Sequence, residues 1–477
     1  MIPVYRRAYP YPPSVDFWGV AFDSARVRRD FPILRRKVAT ADGKKRPLTY
    51  LDHGASTHAP QPVIDAVSEF LSSHYANVHR GNHTLSQEAS AAFEEASKTL
   101  GDFIGTDSAT QPICLTGNTT GALDLAAHLM ADVKGATVIT QAEHHSNDLP
   151  HRRRGKVLRA PVDGSGRLLL DALQQLLDEN PVKLLAVTGA SNVTGLMPPV
   201  HKLARMAHEA GARILVDAAQ LYAHAPIDVK HEGSPEHLDF VAAAGHKAYA
   251  PLGSAFLAAP ADLVDAAPPH VTGGGTVEWV TETGVKHKSG PERHHGGTPN
   301  IVGAVAFAAS TKYLAKLGMD NVREHERQVV RHALRRFTEL SDAGVHLLGP
   351  SNPGAADHKV GVFAFVVPGM HHGEASKALD RRWGIATRNG CFCAQPLLNQ
   401  LLGLGVQPEW TKSANHDHVE IPGAVRASVG VYNTEAELDL LIDAVAELAK
   451  EGKGQVSRSR SKVGNASRNE RLAVDSS

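Results

Sequence analysis

The sequence lacks a surplus of charge of either sign, and it contains few cysteines. Its 50 lysines and arginines balance 50 aspartates and glutamates over 477 residues, so the composition does not favour nucleic acid or an anionic membrane as a partner. Three cysteines are too few for a disulfide framework and are typical of a reducing compartment. We therefore expect a cytoplasmic protein that binds neither nucleic acid nor membrane.

Long apolar runs are also missing. The apolar stretches are interrupted well before membrane-spanning length, so no transmembrane helix is expected. Residues 1–7 are followed by proline and tyrosine instead of an apolar core with a cleavage site, which argues against a secretory signal. The nucleotide-binding patterns G-x-G-x-x-G and G-x-x-x-x-G-K-[ST] do not follow any predicted strand. The length itself suggests two or three domains.

Short segments of small apolar residues are present and predict strands that are covered on both faces, as in a parallel sheet. Helical segments alternate with them, and this alternation favours right-handed βαβ units. Ligands of such sheets bind at the carboxyl ends of the strands. The predicted strand ends carry, in chain order, a glycine-containing turn at residues 116–120, His144, Asn192, Asp217 and Lys247.

The turn at residues 116–120 has two interpretations. A helix that begins there directs free N–H groups and its dipole at the turn, which suits an anion, and Thr119 and Thr120 could add hydroxyl hydrogen bonds. Ordinary N-capping by Asn118 explains the same residues. Similarly, Lys247 taken alone is most simply a solvated loop residue. These alternatives stay open when each group is considered separately.

Taken together, the strand-end groups match the requirements of pyridoxal 5′-phosphate (PLP). This cofactor needs a lysine for a Schiff base, an acid facing its pyridinium nitrogen, and an anion site for its phosphate. Lys247 supplies the amine and Asp217 the acid, whose unpaired burial would otherwise be costly. His144 is placed to lie over the ring, and Gln220 to hydrogen-bond the phenolic oxygen.

The sequence resembles the class V aminotransferase family of PLP-dependent enzymes, and within it the cysteine desulfurase and selenocysteine lyase branch. The similarity extends from about residue 27 to residue 448, which is most of the chain. It is carried by ordered matches at residues 28–34, 50–52, 76–86, 143–147, 191–192, 217–220, 245–247, 297–300, 388–390, 393–397, 426–428 and 432–434.

The resemblance implies an α/β protein of PLP fold type I that forms a homodimer. A large domain would contain a mostly parallel seven-stranded sheet sandwiched by helices, and a smaller α+β domain would follow. The expected boundaries are an N-terminal arm at 1–23, a segment packing with the small domain at 24–50, the large PLP-binding domain at 51–316, the small domain at 317–450 and a disordered tail at 451–477.

The resemblance also implies which residues hold the cofactor. Lys247 would form the Schiff base, His144 would stack on the ring, and Asp217 would pair with the pyridinium nitrogen. The phosphate would be bound by Thr119, Thr120, His246 and Thr298 of the partner subunit.

Cys393 occupies the position that matches the nucleophile of the desulfurases. In such enzymes a cysteine thiolate attacks the substrate sulfur and leaves alanine and an enzyme persulfide, whose sulfur passes to an acceptor protein. A partly exposed thiol near Arg388 would favour the thiolate, although free cysteines are more often buried small hydrophobes, as we expect for Cys114. The resemblance implies that the amino-acid substrate is held by Asn192, Arg426 and Arg388.

A metal site is not expected. Cys391 and Cys393 form a C-x-C pair without a second pair, which is a weak signal for zinc. His294 and His295 could complete such a site only by an accident of folding.

Three positions depart from the pattern of the desulfurases. Ala244 replaces a phosphate-binding serine, residues 250–253 read Ala-Pro-Leu-Gly instead of Gly-Pro-Thr-Gly, and residues 390–393 read Gly-Cys-Phe-Cys instead of Gly-His-His-Cys. The last loop is similar to that of molybdenum-cofactor sulfurases. We expect desulfuration of L-cysteine to L-alanine; a selenocysteine or other C–S lyase, an epimerase, a transaminase and a non-catalytic assembly protein are the alternatives.

Overall fold

The computed structural model describes residues 22–404 and 422–474, with side chains as far as residue 454. The predicted N-terminal arm at 1–23 therefore lies almost entirely outside the described residues, as do residues 475–477. No helix in the described ranges is long and apolar enough to cross a membrane.

The strands of the described ranges are short and mostly buried. In chain order they are β1 Lys37–Ala39, β2 Lys45–Pro47, β3 Thr49–Tyr50, β4 Ile113–Thr116, β5 Ala136–Thr140, β6 Val157–Ala160, β7 Val182–Thr188, β8 Arg213–Asp217, β9 Phe240–Ala244, β10 Ala255–Ala258, β11 Val277–Val280, β12 Val285–His287, β13 His346–Leu348, β14 Val362–Val366, β15 Ile385–Ala386, β16 Arg388–Gly390 and β17 Ala424–Ser428.

The α-helices alternate with many of these strands. They are α1 Ser24–Arg29, α2 Gln61–Ser73, α3 Thr84–Ile104, α4 Thr119–Leu129, α5 Leu149–Arg154, α6 Leu170–Glu179, α7 Val200–Glu209, α8 Ala261–Ala266, α9 Ile301–Leu317, α10 Met319–Thr338, α11 His372–Trp383, α12 Gln395–Leu401 and α13 Glu435–Val474.

A seven-stranded sheet with the order β4-β10-β9-β8-β7-β5-β6 forms the centre of the larger unit. Its neighbours pair in parallel except β10, which runs antiparallel to both β9 and β4. Both faces are covered: Ile214 and Val216 of β8 belong to one apolar core, and Leu215 between them belongs to the other. The predicted α/β fold of PLP type I is confirmed.

Helices cover the two faces of this sheet unequally. The core that contains Leu215 is closed by α4 and α8, whereas α2, α3, α6, α7 and α9 contribute to the core on the opposite face. Because α4 packs directly on β9 and β10, its first turn lies at the carboxyl ends of the parallel strands. This position brings the helix N-terminus to the place where ligands of such sheets bind.

A smaller antiparallel sheet with the order β13-β14-β17-β16 follows α9. Its core includes residues of α10, α11 and α13. The N-terminal segment contacts this unit, because β3 pairs in parallel with β15 and Asp52 forms an isolated bridge with Ser428. The side chain of Arg28 also donates to Glu437 at 2.9 Å. Residues 49–52 therefore connect the smaller sheet to the edge of the ligand-binding face.

The last helix differs from the sequence prediction. We expected a helix that ends at residue 450 and a disordered tail from 451, but α13 continues to Val474. Proline is absent from residues 451–474, so nothing in the covalent backbone forces the helix to stop. Its continuation also has partners, since Arg382 pairs with Glu451 at 2.8 Å and Lys453 donates to the Asp342 carbonyl at 2.8 Å.

Candidate active site

A cavity of about 370 Å³ opens at the carboxyl ends of β5, β7, β8 and β9. Eleven of the twelve predicted site residues line it, although they come from segments that are far apart in the sequence. They are Thr119, Thr120, His144, Asn192, Asp217, Gln220, His246, Lys247, Arg388, Cys393 and Arg426.

Thr298 is the exception. It is exposed in the loop before α9 and does not line the cavity of its own chain. The glycine- and histidine-rich connection at residues 273–297 does not line this cavity either. It forms the exposed hairpin of β11 and β12 instead.

Lys247 lies in a short 3₁₀ turn, Gly245–Lys247, directly after β9. Burial lowers the pKa of its amine to about 8, and the nearby charge of Arg426 adds to this effect while Asp217 opposes it. A lowered pKa leaves part of the amine unprotonated near neutral pH, and the unprotonated amine is the nucleophilic form. The structure therefore excludes the simple reading of Lys247 as a solvated loop residue.

Asp217 ends β8 and is buried, with 5% of its surface exposed. Burial raises the pKa of this carboxyl, while a hydrogen bond from the backbone N–H of Ala219 at 3.0 Å and the charge of Lys247 lower it. Lys247 is the cation that a buried carboxylate here requires. A second cationic group opposite Asp217, such as a pyridinium, would stabilise its ionised form further.

The turn after β4 combines N-capping with an anion site. The side chain of Asn118 accepts the N–H of Gly121 at 2.9 Å, and the N–H groups of Thr119 and Thr120 belong to the first turn, which has no intrahelical acceptors. The hydroxyl of Thr119 is buried without a hydrogen-bond partner, and that of Thr120 lies 2.8 Å from the Ser146 hydroxyl. An orphaned buried hydroxyl beside free amides fits the phosphate of PLP.

His144 is neutral at ordinary pH because burial, followed by the charges of Lys247, His145 and Arg426, lowers its pKa to about 4. Its Nδ1 accepts the backbone N–H of Ser146 at 3.1 Å, so the proton is on Nε2. The uncharged imidazole lines the cavity and offers a flat face to an aromatic ring.

Glu143 directly precedes His144 and holds the surrounding backbone in place. It was not predicted as a site residue from the sequence. Its Oε1 accepts the Thr140 hydroxyl at 2.6 Å and the Thr188 N–H at 3.0 Å, and its Oε2 accepts the Asn147 amide at 2.7 Å. Burial raises the pKa of Glu143 to about 8 against these hydrogen bonds. The carboxyl connects the ends of β5 and β7 to the turn that carries His144.

Gln220 uses one amide hydrogen within the protein, because its Nε2 donates to the Gly54 carbonyl at 2.7 Å. The backbone at Gly54 approaches the arginine closely, since an added Cβ would come within 3.1 Å of the Arg426 guanidinium carbon and of the Ser428 hydroxyl. A side chain at this position would therefore displace the guanidinium slightly.

Asp52 lies between two arginines of the site and is a second residue that the sequence alone did not identify. Arg388 donates to it at 2.8 Å, and Arg426 lies 3.6 Å away. Arg426 is 3% exposed and also donates to the Asn192 carbonyl at 3.0 Å. Burial lowers its pKa to about 10, which leaves it charged. Its Nε is buried without a hydrogen-bond partner, so the guanidinium has capacity for an added carboxylate.

Cys393 lies on a tight turn that other site residues hold in place. The N–H of His145 donates to the Cys393 carbonyl at 2.7 Å, and the Asn192 amide donates to the Phe392 carbonyl at 2.6 Å. The Phe392 ring faces the Arg426 guanidinium at 4.9 Å. The loop is thus fixed by the same two residues, Asn192 and Arg426, that were predicted to bind substrate.

Comparison with known proteins places this geometry in a family. The pattern of the family described as aminotransferase class V matches residues 49–441. The chain belongs to the aminotransferase class V family. A cysteine desulfurase from Haloferax volcanii is 34% identical over 435 residues, which cover 88% of this chain and 95% of that protein. One from Enterobacter sp. (strain 638) is 35% identical over 433 residues, with 89% and 97% covered.

A solved structure gives the same result. The apo structure of a cysteine desulfurase from Thermococcus onnurineus NA1 superposes with a TM-score of 0.76 at 32% identity, covering 90% of this chain and 98% of that one. Class V enzymes of this kind depend on PLP, so the predicted cofactor is confirmed. The unpartnered Thr119 hydroxyl, the buried Asp217 and the half-buried Lys247 with its lowered pKa fit that cofactor.

Among the described residues, no group of three or more histidine, cysteine or acidic side chains could hold a metal ion. His294, considered above as a possible zinc ligand, has its Nε2 2.9 Å from the Val264 carbonyl oxygen.

Proposed function

We propose that this class V enzyme is a cysteine desulfurase that converts L-cysteine to L-alanine and keeps the sulfur as a persulfide on Cys393. The observation that carries the proposal is the position of Cys393 in the same cavity as Lys247. The cysteine desulfurases that match nearly the full chain support it.

Eight residues of the site suit the cofactor. Lys247 would hold PLP covalently, Asp217 would face its ring nitrogen, and His144 and Gln220 would contact the ring and its phenolic oxygen. When bound, PLP acts as an electron sink for the amino-acid substrate. The phosphate would be held by Thr119, Thr120, His246 and Thr298 of the partner subunit.

The substrate carboxylate would bind at the arginines. Arg426 is buried, charged and has an unpartnered Nε, while Arg388 is more exposed and already paired with Asp52. The Asn192 amide is engaged with the Phe392 carbonyl, so Asn192 would contact the substrate only if this hydrogen bond were shared or exchanged. Arg426 is therefore the main carboxylate ligand in this proposal.

Cys393 and Lys247 then carry out different steps of the reaction: Cys393 takes the sulfur and Lys247 transfers a proton. The Cys393 thiolate attacks the sulfur of the bound substrate, and the carbon–sulfur bond breaks with its electron pair left on the β-carbon, which takes up a proton to become the methyl group of alanine. The transferred sulfur stays on Cys393 as a persulfide. Lys247, whose pKa is about 8, holds and returns the proton at the α-carbon. Delivery of the sulfur to an acceptor protein, for which the exposed side of Cys393 is available, completes the cycle.

We further propose that the protein acts as a homodimer. The β11–β12 hairpin exposes a cluster of large apolar side chains, with Trp279 68% exposed and Val280 and Val285 beside it. Such a patch is typical of a protein interface. A second copy would cover it and would supply Thr298, which does not line the cavity of its own chain.

The test is a turnover assay with the PLP-loaded protein, L-cysteine and a reducing thiol, with alanine and sulfide both measured. The wild type should form both in equal amounts, and Cys393→Ser should form neither while its visible cofactor spectrum stays unchanged. Release of neither product by the wild type would overturn the proposal. Undiminished turnover of an amino acid by Cys393→Ala would instead favour an epimerase or a transaminase.

A further inference from the structure

The nucleophile loop carries a second thiol that the proposed reaction does not use. Cys391 is half-buried and Cys393 is exposed, with one residue between them. The Cys391 side chain packs against the apolar cluster that includes Leu397 and Val193, which keeps it on the protein side of the turn.

The backbone brings the two cysteines close together. The N–H of Ala394 donates to the Cys391 carbonyl at 3.1 Å, which closes a four-residue turn. Phe392 and Cys393 both have a φ of 55°, the left-handed conformation of a type I′ turn. A left-handed residue at the middle position folds the chain back, so the flanking Cα atoms fall in the range of about 4.4–6.8 Å that a disulfide spans.

The loop is held by its backbone, and its thiols are not part of that support. His145 donates its N–H to the Cys393 carbonyl and accepts the Gln395 N–H on Nε2 at 3.2 Å. The Asn192 amide holds the Phe392 carbonyl. These contacts keep the Cα atoms in place through backbone groups of the loop, and rotation about χ1 remains available to the exposed Cys393 side chain. The turn can therefore present the two sulfur atoms to one another without refolding.

We propose that Cys391 is a resolving thiol, which releases sulfide from the Cys393 persulfide and leaves a Cys391–Cys393 disulfide. The Cys391 thiolate attacks the inner sulfur of the persulfide, the bond to the outer sulfur breaks, and the electron pair leaves with the outer sulfur as hydrosulfide. The outer sulfur is reduced and the two cysteines are oxidised, so the step needs no external oxidant. The inference rests on the proposed desulfurase function.

The disulfide has to be reduced before the next turnover. Two thiol equivalents, supplied by a dithiol or by excess L-cysteine, would restore both cysteines and form a disulfide of their own. Sulfide release would thus not require an acceptor protein. Enzyme that receives one equivalent of substrate and no other thiol would stop after one turnover.

The test is a single turnover without reductant. PLP-loaded enzyme receives one equivalent of L-cysteine; alanine and sulfide are measured, and the peptide that contains both cysteines is weighed by mass spectrometry after thiol blocking. The wild type should release one sulfide per alanine and show a peptide lighter by two hydrogen atoms. Cys391→Ser should form alanine but keep the sulfur, with a peptide heavier by one sulfur atom.

Cys114→Ala is the matched control, because Cys114 is the remaining cysteine and is fully buried in β4; it should behave as the wild type. A wild-type enzyme that forms alanine but retains the extra sulfur on Cys393, as Cys391→Ser does, would overturn this inference alone. Absence of alanine from all three proteins would overturn the proposed function and this inference with it.

Discussion

Lys247 illustrates at the scale of one residue how burial prepares a side chain for chemistry. Its amine shares the cavity with the carboxylate of Asp217 and the guanidinium of Arg426, and the charges of both act on it. Burial and the arginine lower the pKa to about 8 although the aspartate opposes them. The same cavity keeps His144 neutral, with a pKa of about 4. Near neutral pH the site thus combines the partly unprotonated amine of Lys247 with the uncharged imidazole of His144.

The rate at which the cofactor-free protein binds PLP covalently should increase with pH. The amine reacts only when unprotonated, and it loses its proton as the pH rises through its pKa of about 8. The rate, followed by visible absorbance, should rise about tenfold for each pH unit below this value and level off above it. A rate that is the same at every pH below 8 would show that the amine of Lys247 is already unprotonated there. Such a result would contradict a pKa of about 8.

Gly54→Ala should weaken binding of L-cysteine. The added Cβ would come within 3.1 Å of the Arg426 guanidinium carbon, and displacement of the guanidinium removes it from the substrate carboxylate. We expect KM to increase about tenfold, equivalent to about 1.4 kcal/mol, with a smaller change in kcat. Steady-state kinetics measure both constants. Gly164→Ala is a suitable control, because Gly164 is exposed outside the cavity and no atom lies within 4 Å of its added Cβ.

At the scale of elements, the strand ends are held in register by a buried hydrogen-bond network. Glu143 connects the end of β5 with the N–H of Thr188 at the end of β7 and with Asn147 in the following turn. This turn carries His144 and also supplies His145, which holds the Cys393 loop. The position of the cysteine therefore depends on contacts between elements that are distant in the sequence.

Glu143→Ala should destabilise the protein and weaken PLP binding, whereas Glu143→Gln should be close to the wild type. Alanine leaves buried donors without acceptors, at a cost of about 2–3 kcal/mol. Glutamine keeps an oxygen for Thr188, and the Asn147 amide can turn its unpartnered Oδ1 toward the new NH₂ group. Urea unfolding and PLP titration measure the two effects. Equal losses in both variants would show that the negative charge, not the shape, is required.

Much of the sheet could be predicted because strands covered on both faces have apolar sequences. The segment Phe240–Ala244 is buried at every position, and its sequence shows this directly. The antiparallel strand β10 was not predicted, because it follows β9 after a short loop without the intervening helix that marks a parallel crossover. The exposed hairpin of β11 and β12 was also missed, since its glycine-rich sequence resembles an irregular loop.

The site could be predicted only in part. Lys247 and Asp217 are each recognisable from a strand and the group that follows it. Asp52 was not, because its role depends on Arg388 and Arg426, which are more than 300 residues away in the chain. Glu143 acts through backbone groups of other strands, and no local pattern reveals such contacts.

At the scale of the whole molecule, the two sheets are joined by a buried polar pair. His224, which follows β8 in the larger unit, lies 2.8 Å from Glu326 of α10, and both side chains are buried. Glu326 also accepts the N–H of Gly361 at 2.7 Å. Burial raises the pKa of this carboxyl, but the charge and hydrogen bond of His224 outweigh burial and lower it below its ordinary value. The carboxylate is therefore ionised at neutral pH.

Glu326→Ala should reduce the free energy of unfolding by about 3–5 kcal/mol, because it leaves His224 and the Gly361 N–H without a buried acceptor. A group with a lowered pKa in the folded state stabilises the protein above its unfolded pKa and loses this effect as the pH falls through the folded value. The difference between wild type and variant should therefore be full at pH 7 and shrink in acid. A difference independent of pH in urea unfolding would contradict the ionic contribution.

The central claim is that one half-buried lysine, Lys247 at the end of β9, holds PLP next to the Cys393 thiol. Borohydride reduction of the PLP-loaded protein, followed by peptide mapping, tests this claim most directly. The account predicts that the reduced cofactor is attached to Lys247 and that Lys247→Ala carries none. Attachment at another lysine, or no attachment in the wild type, would contradict it.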